Sequence, residues 1–137
     1  MKIVLDTNTV ISGLLWKGAP RQILDLARSG SWTLFTSPEL LAELANVLER
    51  KKFSARLALA ETNVDELVYG YAALAKTIRP AKIKPMIKVD PEDDKVLACA
   101  KAAKAEIITS GDDHLLNLKE YEGIRILTVN QLLAEVQ

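Results

Sequence analysis

A chain of 137 residues with one cysteine, one histidine and few aromatic residues (5%) is defined first by what it lacks. The lone Cys99 rules out a disulfide framework and fits a reducing compartment, so a cytoplasmic setting is expected. The lone His114 excludes His-rich metal sites, and no serine has another histidine for a base, so nucleophilic triad chemistry is not expected. A Gly-rich phosphate loop is missing as well. No uncharged run approaches the roughly 20 residues that span a bilayer. Asp6 interrupts the N-terminal apolar stretch after three residues, which argues against a signal peptide. Net charge is also absent, with 18 basic residues against 18 acidic. That balance hides an asymmetry. Residues 1–48 carry four charges of each sign, residues 49–88 carry nine positive and four negative, and residues 89–137 carry five positive and ten negative.

What is present is ordinary for a globular chain: 49% apolar and 26% charged residues, long enough to bury a core without staples, and read as a single domain over 1–137. No internal repeat or Gly/Ser linker divides it, and the two-proline basic stretch from Arg79 to Pro85 reads as a loop. Short branched apolar runs predict strands at Lys2–Asp6, Thr33–Thr36, Glu106–Thr109 and Arg125–Thr128, with a fifth at Ile78 or within Ile83–Val89. Helical periodicity falls between them. Pro20–Ser29 is one such stretch. Ser37-Pro38-Glu39 supplies a cap, a first-turn proline and an acid for a helix running to about Arg50. Thr62-Asn63 opens a third helix, Asp90-Pro91 a fourth, and Asn130–Val136 closes the chain. Alternating strands and helices predict an α/β fold with a parallel sheet. In such sheets sites collect beyond the carboxyl ends of the strands, where the strand order reverses.

Four acids fall where that rule points. Asp6 ends the first strand, Glu43 lies in the helix after the second, Asp94 lies one turn into the Pro91 helix, and Asp112 follows the third. Four carboxylates in one cleft disfavour joint ionisation, and a divalent cation resolves the conflict. All-oxygen ligation suits Mg²⁺ or Mn²⁺ rather than zinc. Simpler roles stand beside this one: Asp90, Glu92 and Asp93 serve a helix N-terminus, Asp113 a turn, Glu39 a first turn, Cys99 the core, Trp16 and Trp32 the core or else an interface, and His114 a surface loop.

The same residues resemble the PIN-domain nucleases, specifically the VapC-like toxins of toxin–antitoxin systems, nearly end to end. Ile3-Val4-Leu5-Asp6-Thr7-Asn8 is similar to the family's opening strand, and Ser37–Leu44 to the segment bearing its helical acid, here Glu43. Asp94–Ala100 resembles the third acidic motif, and Thr109-Ser110-Gly111-Asp112 the closing one. His114 stands where many relatives carry an acid. The resemblance implies a twisted five-stranded parallel sheet flanked by helices, and metal-dependent hydrolysis of RNA. Asp6, Glu43, Asp94 and Asp112 are then the catalytic ligands of one or two Mg²⁺ or Mn²⁺ ions. Asn8, Ser110, Asp90 and Asp93 are expected to orient them. It also implies a small antitoxin partner and a homodimer. The basic middle of the chain gains a role as a contact for the RNA backbone, with Arg50, Lys51, Lys52, Arg79, Lys82 and Lys84 as candidates. Two alternatives remain open, an inactive PIN-like module that binds RNA or protein and a free-standing RNA-processing nuclease. Other acid-rich α/β enzymes fit worse. A haloacid-dehalogenase phosphotransferase wants a second acid where Asn8 stands, and a receiver domain wants neighbouring acids that Asp6 lacks.

Overall fold

The computed structural model describes residues 1–86 and 92–135. In chain order its elements are β1 (Lys2–Leu5), α1 (Thr7–Leu15), α2 (Ala19–Arg28), β2 (Thr33–Thr36), α3 (Pro38–Leu48), a 3₁₀ turn (Lys51–Phe53), α4 (Ser54–Leu59) and α5 (Val64–Leu74). There follow β3 (Lys76–Thr77), α6 (Glu92–Ala103), β4 (Ile107–Thr109), α7 (Asp113–Leu116), β5 (Glu120–Tyr121), β6 (Ile124–Leu127) and α8 (Val129–Ala134). The expected Ile83–Val89 strand falls partly outside the described residues. The fifth parallel strand is instead β3, just before Ile78, whose N–H donates to the Thr36 carbonyl.

The sheet has six strands in the order β3-β2-β1-β4-β6-β5. Five are parallel, as expected, and β5 adds an antiparallel edge through Tyr121 opposite Ile124. From β1 the chain winds outward to β2 and β3, then returns to the far side of β1 at β4. The order therefore reverses between β1 and β4, and a crevice opens at their carboxyl ends.

Alternation along the strands divides the core between the two faces. Ile3, Leu5, Leu34 and Ile107 pack with residues of α1, α2, α3, α5 and α8, including Val10, Ile11, Ile23, Leu24, Leu44 and Leu132. Val4, Phe35, Ile108 and Ile126 pack against α6 and α7 through Val96, Leu97, Ala100 and Leu115. Each fully buried leucine or isoleucine contributes about 1.5–3 kcal/mol. Small residues let α6 lie close to the sheet: Cys99 and Ala100 are fully buried. Gly13 does the same between α1 and α2, since a Cβ there would stand 2.9 Å from Leu24 Cδ1. Among the described residues no helix is long and apolar enough to cross a membrane.

Tyr71 sits in this core with its hydroxyl buried and without a hydrogen-bond partner among the described residues. Burial first, then the nearby Cys99 and Asp6, push its pKa upward. Burial, with Glu39 nearby, pushes the Cys99 thiol up to about 12. Both folded-state pKa values lie above the unfolded ones, so the unfolded chain releases these protons first as pH rises. Stability is intact below the unfolded values, 9.0 for the thiol and 10.0 for the phenol, and falls above them. Tyr71→Phe removes a buried hydroxyl that gains nothing in the fold and is expected to stabilise the protein by about 1 kcal/mol at neutral pH. It should also flatten the alkaline fall. Urea unfolding at pH 7 and above pH 10 checks both. A destabilised variant with an unchanged alkaline limb would contradict this account.

Candidate active site

At the crevice, the ends of β1 and β4, the middle of α3 and the start of α6 bring the acids together. A cleft of about 250 Å³ is lined by Asp6, Thr7, Asn8, Glu43, Val47, Arg50, Glu92, Asp93, Val96 and Asp112. Asp6 follows β1 and caps α1, its Oδ1 accepting from Thr9 N–H at 2.9 Å. It is only 6% exposed, so its orientation is fixed by packing as well as by that bond. Ser110, fully buried past the end of β4, donates its hydroxyl to Asp6 Oδ2. The same Ser110 Oγ accepts from Asp112 N–H at 2.9 Å. One hydroxyl thus ties two strand ends and two acids into one register. Asp112 in turn caps α7, its Oδ1 accepting from His114 N–H at 2.7 Å.

Glu43 reaches the cleft from α3, half-buried, and its Oε2 accepts from Thr7 Oγ1 at 2.9 Å. The helix is placed by the grammar read in its sequence: Ser37 Oγ accepts from Leu40 N–H at 3.2 Å, with Pro38 in the first turn. Glu43 and Val47 then follow at i and i+4 on one side of α3, and Arg50, just past the end of the helix, also lines the cleft. Arg50 is the cation among the lining residues, against five carboxylates.

On α6 the outcome differs from the sequence expectation. The acid in the cleft is Asp93, buried at 8% exposure, with Glu92 beside it, and not Asp94. Asp94 lines a separate hollow with Ser37, Glu39, Pro80 and Ala81, and its Oδ1 accepts from Met86 N–H at 3.1 Å. The reason is helical phase. Successive residues turn by about 100°, so Glu92, Asp93 and Asp94 together span about 200° and cannot all face one cleft. Asp93 lies at i−3, i−4 and i−7 from Val96, Leu97 and Ala100, all buried, whereas Asp94 lies in phase with the exposed Lys101. Following the apolar stripe back to the helix start would have selected Asp93. Sequence reasoning also passed over two further lining residues, Thr7 and Glu92, the latter paired with Lys95.

The remaining candidates divide. Asn8 is exposed and lines the cleft. Lys51 and Lys52 follow Arg50 directly in the 3₁₀ turn. Arg79 lies just beyond β3 at the same sheet edge but does not line the cleft. Lys82 and Lys84 border a different hollow with Lys101 and Tyr121. Lys101 is eight residues along α6 from Asp93, about 12 Å at the helical rise. Asp90 lies outside the described residues.

Among the described residues no three His, Cys, Asp or Glu side chains form a ready-made metal cage. The donor set nevertheless suits a hard divalent cation: the lining ligands are carboxylates, without thiolate or imidazole. Mg²⁺ in particular keeps several waters and is held through one or two carboxylates, so it does not require a closed cage.

Comparison with known proteins agrees with this fold. A family model described as PIN domain matches residues 2–114. A solved structure described as VapBC2 from Rickettsia felis bound to a DNA fragment from their promoter matches with a TM-score of 0.60. That match has 16% identity and covers 92% of this chain and 97% of the other. No curated protein matches the sequence.

Proposed function

Since the chain belongs to the PIN domain family, we propose that it is a metal-dependent endoribonuclease, with Asp6, Glu43, Asp93 and Asp112 as its catalytic carboxylates. The observation that carries this reading is the convergence of those four acids, distant in sequence, on one cleft at the point where the strand order reverses. Asp93 takes the place that the sequence alone suggested for Asp94.

The carboxylates would hold one or two Mg²⁺ or Mn²⁺ ions, and bound metal would supply an activated water and a counter-charge for the phosphate. The protein's own contribution is orientation and field. Ser110 fixes Asp6 and the Asp112 loop, and Thr7 fixes Glu43, so the acids present a set geometry before substrate arrives. Asn8, exposed at the rim, is placed to hydrogen-bond a bound water or a phosphate oxygen. Arg50 offers a guanidinium to the phosphate that enters between the acids. Hydrolysis in this arrangement leaves a 5′-phosphate and a 3′-hydroxyl.

Cleavage of single-stranded RNA with Mn²⁺, compared between the protein and its Asp6→Asn variant, tests the proposal. Asn keeps the cap to Thr9 while removing the charge, so folding is preserved. Activity that survives the change would falsify the assignment. The basic flank is tested separately. Each neutralised phosphate contributes about 0.7 to the salt slope of single-strand binding. Lys51→Ala with Lys52→Ala is expected to lower that slope by about 1.4, whereas Lys82→Ala with Lys84→Ala, on another face, leaves it unchanged. Equal effects of the two pairs would remove the cleft-centred account of binding.

The structural likeness to VapBC2 motivates a toxin role with a small antitoxin as partner, and with it a homodimeric, cytoplasmic protein of one domain over 1–137. Mass spectrometry of a small protein that copurifies from the native host tests the partnership. Purification with no such protein would favour a free-standing RNA-processing nuclease.

A further inference from the structure

At the far end of α1 from Asp6 stands an aromatic group that the chemistry above does not use. Trp16, at the end of α1, is 42% exposed. Its ring meets that of Phe53 edge to face, with centroids 6.4 Å apart and planes at 61°. Arg56 carries its guanidinium 5.3 Å from the Trp16 centroid. The same guanidinium donates to the Leu15 carbonyl through Nε at 2.8 Å and Nη2 at 2.6 Å, so it is tethered rather than swinging free. Lys52 places its ammonium 5.1 Å from the Phe53 centroid. Trp16, exposed, and Phe53, half-buried against the core, are thus interleaved with two cations at the surface, where an isolated tryptophan would gain more from burial.

Two short stretches of chain connect this group to residues of the cleft. Arg50 lines the cleft and leads straight into the 3₁₀ turn that ends at Phe53, about 6 Å further at the rise of such a turn. Helix α1 begins beside Asp6, and its nine residues carry the chain about 14 Å to Trp16. A strand of nucleic acid with one phosphate between the acids would therefore lay a base a few nucleotides away within reach of these rings. Residues 49–56 carry four cations and one acid, which complements a polyanion. Aromatic faces set among cations are the composition of a single-strand stacking platform, and duplex bases are already stacked and out of reach.

We propose that Trp16 and Phe53, framed by Arg56 and Lys52, form a base-stacking site for single-stranded nucleic acid at the far end of α1 from the acid cleft. The direction of the strand rests on the nuclease reading; the binding site itself does not.

The test is titration of the intact protein with a short oligouridine in EDTA, where no cleavage occurs, while indole fluorescence is followed. Trp32 is buried, so quenching on binding reports Trp16, and its loss in Trp16→Tyr confirms the origin. Trp16→Ala is expected to weaken binding roughly 5- to 150-fold, and Trp16→Tyr to retain most of the affinity. Thermal melts of both variants, together with Arg56→Gln, separate loss of stacking from loss of fold. With Mn²⁺ present, Trp16→Ala should raise KM for a long RNA and leave cleavage of a dinucleotide unchanged. Quenching by oligouridine in a protein that cuts no RNA would sustain the stacking site and end the nuclease reading. Cleavage with a silent Trp16 and unaltered affinity would do the reverse. A Trp16 that ignores oligouridine but is shielded by a copurified protein would also overturn the stacking site.

Discussion

Asp93→Asn is expected to lower RNA cleavage by more than about 100-fold, because even the groups that merely orient metal ligands cost 10–100-fold when removed. Asp94→Asn is expected to stay within roughly twofold of the unaltered protein, as for a substitution away from the working cleft. The contrast between neighbours is the informative part. Both are acids in the first turn of α6, so each contributes similarly to the helix dipole, and neither exchange removes a side-chain acceptor. Only their phase differs. Asp93 enters the cleft with Asp6, Glu43 and Asp112, while Asp94 turns to the Met86 amide on another face. Single-turnover rates for the two variants at saturating Mn²⁺ measure this directly. A crippled Asp94→Asn beside an active Asp93→Asn would mean that α6 is rotated by about a quarter turn from the position described here.

The same pair marks where the sequence stops being legible. Strand-end logic points to Asp6 and Asp112, because an acid after a short apolar run in an α/β chain has few places to go. Spacing alone does not separate Glu43 from Glu39 and Glu49, and the family resemblance selects it. Ser37 and Asn63 announced their helices, and both caps are made, Asn63 Oδ1 accepting from Glu66 N–H at 2.9 Å. Run-of-sequence reading could not rank three consecutive acids, since capping favours all of them; only the apolar stripe from Val96 to Ala100 carries the phase. Helix α1 was missed for another reason. Thr7, Asn8, Thr9 and Gly13 are weak helix formers, and the helix is held by the burial of Val10, Ile11 and Leu15 and by the close approach of Gly13 to Leu24. The cap of α8 is Thr128, in a reciprocal pair with Gln131, and not a residue nearer Asn130. Val129 reads as strand from its neighbours on one side and as helix from those on the other. β3 and β5, two residues each, are too short to carry a pattern at all.

Crowding of the acids has a consequence for stability that does not depend on any substrate. Asp6, Glu43, Asp93 and Asp112 line one cleft with Arg50 as the cation among the lining residues, so without metal they oppose one another. A divalent ion that binds the folded state alone stabilises it by RT ln(1 + [L]/Kd), about 2.7 kcal/mol at a hundredfold excess over Kd. At roughly 2–8 °C per kcal/mol for domains around this size, the melting temperature is expected to rise by about 5–20 °C on passing from EDTA to saturating Mn²⁺. Asp6→Asn gives the complementary result. It keeps the acceptor to Thr9 N–H and the contact with Ser110 but removes one of the opposing charges. It should therefore melt no lower than the unaltered protein in EDTA and gain little from Mn²⁺. Asp94→Asn should keep the full metal response, since its carboxylate lies on another face. Melting curves of the three proteins in EDTA, Mg²⁺ and Mn²⁺ decide the matter without an activity assay. If the unaltered protein melts at one temperature in all three, the carboxylates bind no metal and the charge conflict in the cleft must be relieved by a cationic partner instead.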